Sequence, residues 1–202
     1  MTVSQFQFVA GAWPELFEAA SKAESLAISD PRTSCFYARR TLELAVAWLY
    51  KHDAALKLPY QEHLSALIHE PTFRNLVGPA VFAKARILKE LGNFAVHNQK
   101  PILEFDAVTA VKELHHVLFW LARTYLRDFQ PNAVAAFDPQ LLPKTAPIPV
   151  QTREELKSLD AKLKERDNHL AMLLADKTKL DAELQRLRTE IVAIKAANAS
   201  QT

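Results

Sequence analysis

From Leu156 to Ile194 an apolar residue recurs alternately every three and four positions. Taking Leu156 as heptad position a, the a and d sites are Leu156, Leu159, Leu163, Arg166, Leu170, Leu173, Lys177, Leu180, Leu184, Leu187, Ile191 and Ile194. Only Arg166 and Lys177 interrupt the row. A seam this narrow predicts one long coiled-coil helix over 152–197, roughly 65 Å at about 1.5 Å per residue, with a short tail at 198–202. Thr152 followed by Glu155 supplies a capping box at its start. Such a stripe must find a second helix, whether from another copy, from the bundle or from a segment outside this sequence.

The remainder also reads as helix. Three glycines in 202 residues leave little material for hairpins or phosphate-cradling loops, while Ala, Leu, Lys, Glu and Arg dominate. An all-α fold follows, a bundle of about five helices over residues 1–130. Pro14 suits an early position of a first helix running to about Ile28, with Leu16, Phe17, Ala20, Ala23 and Ala27 on its apolar face. Asp30 is the N-cap and Pro31 the first position of a second helix that runs to about Lys51. Tyr60 to Ile68 makes a shorter helix ahead of Glu70-Pro71. Gly78-Pro79 breaks the chain and starts the next helix, and Phe105 to about Phe129 forms the last, with Val108, Val111, Leu114, Leu118 and Leu121 at helical spacing. Five prolines between 131 and 151 preclude a continuous helix there, so this stretch is an extended or surface-hugging linker.

Candidate chemistry concentrates in Arg86-Ile-Leu-Lys-Glu-Leu-Gly-Asn-Phe-Ala-Val-His97, which sets Arg86, Glu90, Asn93 and His97 on one polar stripe of a helix. Two readings stand side by side. The stripe is a solvated face, or it faces Arg40 and Glu43 of the second helix, where a carboxylate beside guanidinium groups would partner a buried His or Asn and fix the register of two helices.

Other classes of site are poorly supported. His115-His116 and the His63, His69 pair lack the i, i+4 spacing of a helical zinc site, and the lone Cys35 among Phe36 and Tyr37 reads as core. No Gly-x-x-x-x-Gly-Lys loop occurs, so no ATP site is expected. Glu155-Leu-Lys157 opens a coiled coil rather than a nuclease strand. A net charge of +2 does not mark a dedicated nucleic-acid binder, and Lys84, Lys89, Arg123 and Arg127 read as a solubilising face. The N-terminus lacks the pattern of a signal peptide, and no apolar run is long enough to span a bilayer, so a cytoplasmic location is expected.

The order of motifs carries a family likeness. Phe6-Gln-Phe-Val-Ala-Gly-Ala-Trp-Pro14, the Asp30-Pro31 start, Ala38-Arg-Arg-Thr-Leu-Glu43 and Leu91-Gly-Asn-Phe-Ala-Val-His97 together resemble the helical domain that opens the R subunit of type I restriction-modification enzymes, a relative of the HEPN bundles. The resemblance covers roughly the first two thirds of the chain and matches none of that family's nuclease or motor parts. It implies a non-catalytic module that seats the R subunit among the other subunits of the complex or contacts DNA, with ATP and Mg²⁺ belonging only to the whole enzyme. HEPN bundles that cleave RNA carry an Arg shortly before the His, at positions held here by Glu90, Leu91 and Gly92. The alternatives are a free-standing HEPN ribonuclease acting as a toxin or antiviral protein, and a coiled-coil adaptor that associates with itself or a partner helix.

Overall fold

A computed structural model describes residues 3–144 and 152–199 and is all-α, with no strand among the described residues. The chain divides into two compact units, Met1–Lys157 and Ser158–Thr202.

The first unit is organised around one helix. α1 (Pro14–Leu26) and α2 (Pro31–His52) are followed by a short α3 (Leu64–His69), then α4 (Pro71–His97) and α5 (Glu104–Tyr125). α2 packs against α1, α4 and α5, α4 packs on α5, and α3 lies against α4. Capping explains why α2 begins where it does: the Asp30 carboxylate accepts from the Thr33 N–H at 3.1 Å, and Pro31 has no N–H to leave orphaned. Small residues let α1 approach closely. Ala19, Ala20 and Ala23 are buried, and the Ser34 hydroxyl of α2 donates to the Ala23 carbonyl at 2.7 Å. On α5, Ala107, Val111, Leu114, Leu118 and Leu121 are buried at three- and four-residue intervals. Each large apolar side chain so buried contributes about 1.5–3 kcal/mol relative to exposure.

Two sequence expectations about helix starts need correction. The short helix begins at Leu64 rather than Tyr60, because the His63 imidazole accepts from the Ala66 N–H at 3.1 Å and thereby caps it; Tyr60 is exposed. Glu70-Pro71 closes the short helix as expected but also starts α4, ahead of the expected start at Gly78-Pro79: the Glu70 carboxylate accepts from the N–H groups of Thr72 at 2.6 Å and Phe73 at 3.3 Å. The break at Gly78-Pro79 is instead a kink inside α4. Gly78 adopts φ 72° and ψ 170°, a conformation essentially closed to residues with a Cβ, and Pro79 cannot donate across the bend. α5 ends at Tyr125, four residues short of the expected Phe129.

The ends of the first unit are stitched together. Phe6 and Val9 of the N-terminal segment are fully buried. The Glu24 carboxylate accepts from the Ser4 hydroxyl at 2.5 Å and from the Gln5 N–H at 3.0 Å. The Gln5 amide makes a two-way link with the backbone of Asp138, its oxygen accepting from Asp138 N–H at 2.7 Å and its nitrogen donating to the Asp138 carbonyl at 3.1 Å. The proline-rich stretch is thus held to the body through this point, and Leu142 beyond it is buried. The last part of the expected linker, 145–151, lies outside the described residues.

α6 (Arg153–Ala199) starts with the anticipated capping box, in which Thr152 N–H meets the Glu155 carboxylate at 2.7 Å and Glu155 N–H meets the Thr152 hydroxyl at 3.3 Å. Leu156, taken from sequence as the first seam residue, is fully buried within the first unit. The unit boundary therefore falls inside α6, after Lys157, and not at the start of the helix.

Candidate functional site

The motif residues of α2 form a buried charge cluster. Glu43 receives the Arg39 guanidinium at 2.6 Å and lies 3.8 Å from that of Arg40, and all three side chains are largely withdrawn from solvent. Helical spacing makes this possible, since positions 39 and 40 stand four and three residues before 43 and so flank its carboxylate. A carboxylate between two guanidinium groups is a strong, oriented pairing, and burial makes each member depend on the others.

Gly92 is what α4 offers to this cluster. A Cβ placed on Gly92 would lie 2.2 Å from Cβ, 2.7 Å from Cδ and 2.9 Å from Cγ of Arg39. The Arg39 stem therefore lies directly over the α4 backbone, and no side chain fits at position 92. A lone glycine inside a helix costs about 1 kcal/mol relative to alanine, and close packing of this kind is its compensation.

The predicted polar stripe is not assembled against these residues. Arg86 and Glu90 are 52% and 58% exposed and pair with each other at 3.6 Å. His97 is exposed, and only Asn93 is half-buried. The stripe lies chiefly on the solvent side of α4, while Arg40 and Glu43 sit in the interior with Arg39. Successive helix positions diverge by about 100°, so Gly92 can face α2 only by turning its neighbour Asn93 and the stripe aside.

His97 ends α4, and its surroundings are fixed by Arg32. The half-buried guanidinium of Arg32 donates to the carbonyls of Ala95 at 2.6 Å, Asn98 at 2.9 Å and Lys100 at 2.6 Å. Carbonyls at a helix C-terminus lack intrahelical donors and carry partial negative charge, which a guanidinium satisfies on both counts.

Two further polar sites lie on α5. Glu113 binds the Lys84 ammonium of α4 and lies 3.4 Å from His116. Burial pushes its carboxyl upward, but the bonds from Lys84 and His116 outweigh it and hold the group below the usual glutamate value. Next to it His115, 3% exposed, stands among the rings of Phe6, Phe8 and Phe137 at centroid distances of 5.6, 5.2 and 6.0 Å. Burial, helped by the charge on His116 and opposed in part by the Gln5 backbone, lowers its pKa to about 4. At neutral pH it is an uncharged member of the core.

A groove of about 1050 Å³ runs between the N-terminal segment and residues 126–141, with Phe8, Phe129, Val134, Ala136 and Leu141 on its mainly apolar walls. Ser4, Arg127, Asp128 and Asp138 are the ionisable and hydroxyl residues of its lining. Among the described residues no group of three or more His, Cys, Asp or Glu side chains could hold a metal ion, and no helix is long and apolar enough to cross a membrane. Cys35 is buried, and desolvation pushes its thiol up to about 12, which removes it as a nucleophile.

Sequence reasoning picked Arg40 and Glu43 but passed over Arg39, Gly92 and Arg32. Signals for the last two were present. Gly92 is one of three glycines and interrupts a helical pattern, and Arg32 sits in the first turn of α2, where its own helix dipole disfavours a cation unless acceptors lie elsewhere.

A family model described as a domain of unknown function (DUF4145) matches residues 21–166, from the middle of α1 into α6. No curated protein and no solved structure matches the chain.

Proposed function

The chain belongs to the DUF4145 domain family, and we propose that it is the non-catalytic N-terminal region of a type I restriction R subunit, a helical bundle and coiled-coil arm joined by a proline-rich stretch. Its role is to seat the R subunit against the other subunits of the restriction-modification complex, with DNA contact as a secondary role. The complex acts on DNA in the cytoplasm, and the ATP- and Mg²⁺-dependent steps belong to parts of the enzyme that this sequence does not match.

One observation carries the reading. Two of the four motifs behind the family resemblance, Arg39-Arg40-x-Leu42-Glu43 and Leu91-Gly92-Asn93, meet each other through the contact of Gly92 with Arg39. The charged groups of Arg39, Arg40 and Glu43 are spent on internal pairing, which supports an architectural use of that motif. The exposed His97 supports no ribonuclease pair: the nearest upstream arginine on α4 is Arg86, which is engaged by Glu90.

The test is biochemical. The purified chain, incubated with ATP, Mg²⁺ and plasmid, is expected to show neither nucleotide turnover nor nicking, and to co-elute with the DNA-recognition and methylation subunits of a type I system from the same organism. Turnover, nicking or failure to co-elute overturns the reading. RNA cleavage that is lost in His97→Ala would favour the ribonuclease alternative instead.

A further inference from the structure

α6 exposes a row of leucines on one face. Among the described side chains of Ser158–Thr202, Leu170, Leu173, Leu180, Leu184 and Leu187 are 44, 52, 60, 52 and 48% exposed. Ile191 and Ile194 continue the row in sequence, but their side chains lie outside the described residues. Alternating three- and four-residue spacing gathers the leucines into one seam, the pattern a partner helix covers by inserting knobs into holes.

We propose that the partner is α6 of a second copy, lying parallel and in register. The charges beside the seam select this occupant. In a parallel pair each g residue meets the e residue five positions on in the partner helix. Here Lys162 meets Asp167 and Glu183 meets Arg188, opposite charges in both cases, and each pair occurs twice in a two-fold dimer. By heptad position the sequence sets an acid at both 176 and 181, with a lysine at the a position between them. Antiparallel alignments centred on the Leu173 to Leu180 stretch instead oppose g to g, and Asp176 then faces Asp176 or Glu183. Register follows from the interruptions. In-register pairing confines Arg166 and Lys177 to one layer each, whereas any slipped alignment spreads them over twice as many layers and removes a leucine contact from each. On α6 itself Arg166 lies 3.4 Å from Asp167, which partly neutralises it where it borders the seam.

This inference is independent of the restriction reading and is tested on the full chain. Light scattering at micromolar concentration is expected to give the mass of a dimer. Leu180→Asp with Leu184→Asp gives a monomer whose helical body melts as before. Glu183→Lys weakens the dimer about tenfold, and adding Arg188→Glu restores it, because the pair swaps sign in both copies. Leu187→Cys yields a covalent dimer on mild oxidation, since identical d positions oppose each other only in a parallel pair, and the buried native Cys35 does not react. A monomeric or higher-order mass for the unaltered chain overturns the proposal. So does a dimer that survives the double aspartate variant, a charge swap that fails to restore it, or absence of the cross-link.

Discussion

Gly92 of α4 is pressed against Arg39 of α2, with no space between them for a methyl group: a Cβ at position 92 would come 2.2 Å from the Arg39 Cβ. Arg39 Cβ is fixed to its own helix backbone, so the clash cannot be relieved by a rotamer change. The two helices themselves would have to separate.

Gly92→Ala is therefore expected to destabilise the first unit by about 1–3 kcal/mol, even though alanine favours the helix by about 1 kcal/mol. Urea denaturation followed by circular dichroism measures it. An unchanged or raised midpoint would contradict the close approach.

Removing Glu43 takes away the carboxylate that Arg39 and Arg40 share. Glu43→Ala is expected to cost about 3–5 kcal/mol, the range for breaking a buried pair from one side. Glu90→Ala, whose partner Arg86 is exposed, should change the melting temperature little. Equal effects from the two substitutions would refute the difference in burial.

His115 makes stability depend on acid. Its folded pKa of about 4 lies below the ordinary 6.5, so the unfolded chain binds a proton more readily than the folded one. The full contribution is present above pH 6.5 and is lost as pH falls toward 4, amounting at most to about 3 kcal/mol. His115→Leu should flatten that part of the stability profile between pH 7 and 4.5. A wild-type profile with no His115-dependent slope in this window would exclude the buried neutral imidazole.

Arg32→Ala strips the Ala95 carbonyl in the last turn of α4, and the Asn98 and Lys100 carbonyls just beyond it, of this donor. The expected result is a loss of about 1–3 kcal/mol and faster amide exchange in the last turn before His97, leaving the middle of α4 protected. Uniform exchange along α4 would argue against a local clamp.

Leu156 and Leu180 both belong to the heptad seam, at an a and a d position, but have different surroundings. Leu156→Ala is expected to destabilise the first unit by about 2–5 kcal/mol, as burial in that unit requires, while Leu180→Ala leaves its unfolding within about 0.5 kcal/mol. Calorimetry that found the two substitutions equivalent would place Leu156 outside the core.

Local chemistry made much of this protein legible in its sequence. The start of α2 at Asp30-Pro31, the Thr152 and Glu155 box, the disruption at Gly78-Pro79 and the heptad row from Leu156 depend on residues within a turn or two of one another, and so does the all-α class. The starts of α3 and α4 were misread because His63 and Glu70 cap them through side chains that are weak signals in isolation. What only the tertiary structure decided is which face of each helix is spent inside. Arg39 and Gly92 are distant in sequence, and periodicity shows that residues share a stripe without showing what that stripe meets. Packing α4 through its glycine turned Arg86, Glu90 and His97 outward, and packing Leu156 into the body divided one continuous heptad row between two units. Such choices follow from the shape and volume available when distant segments meet, and no local pattern records them.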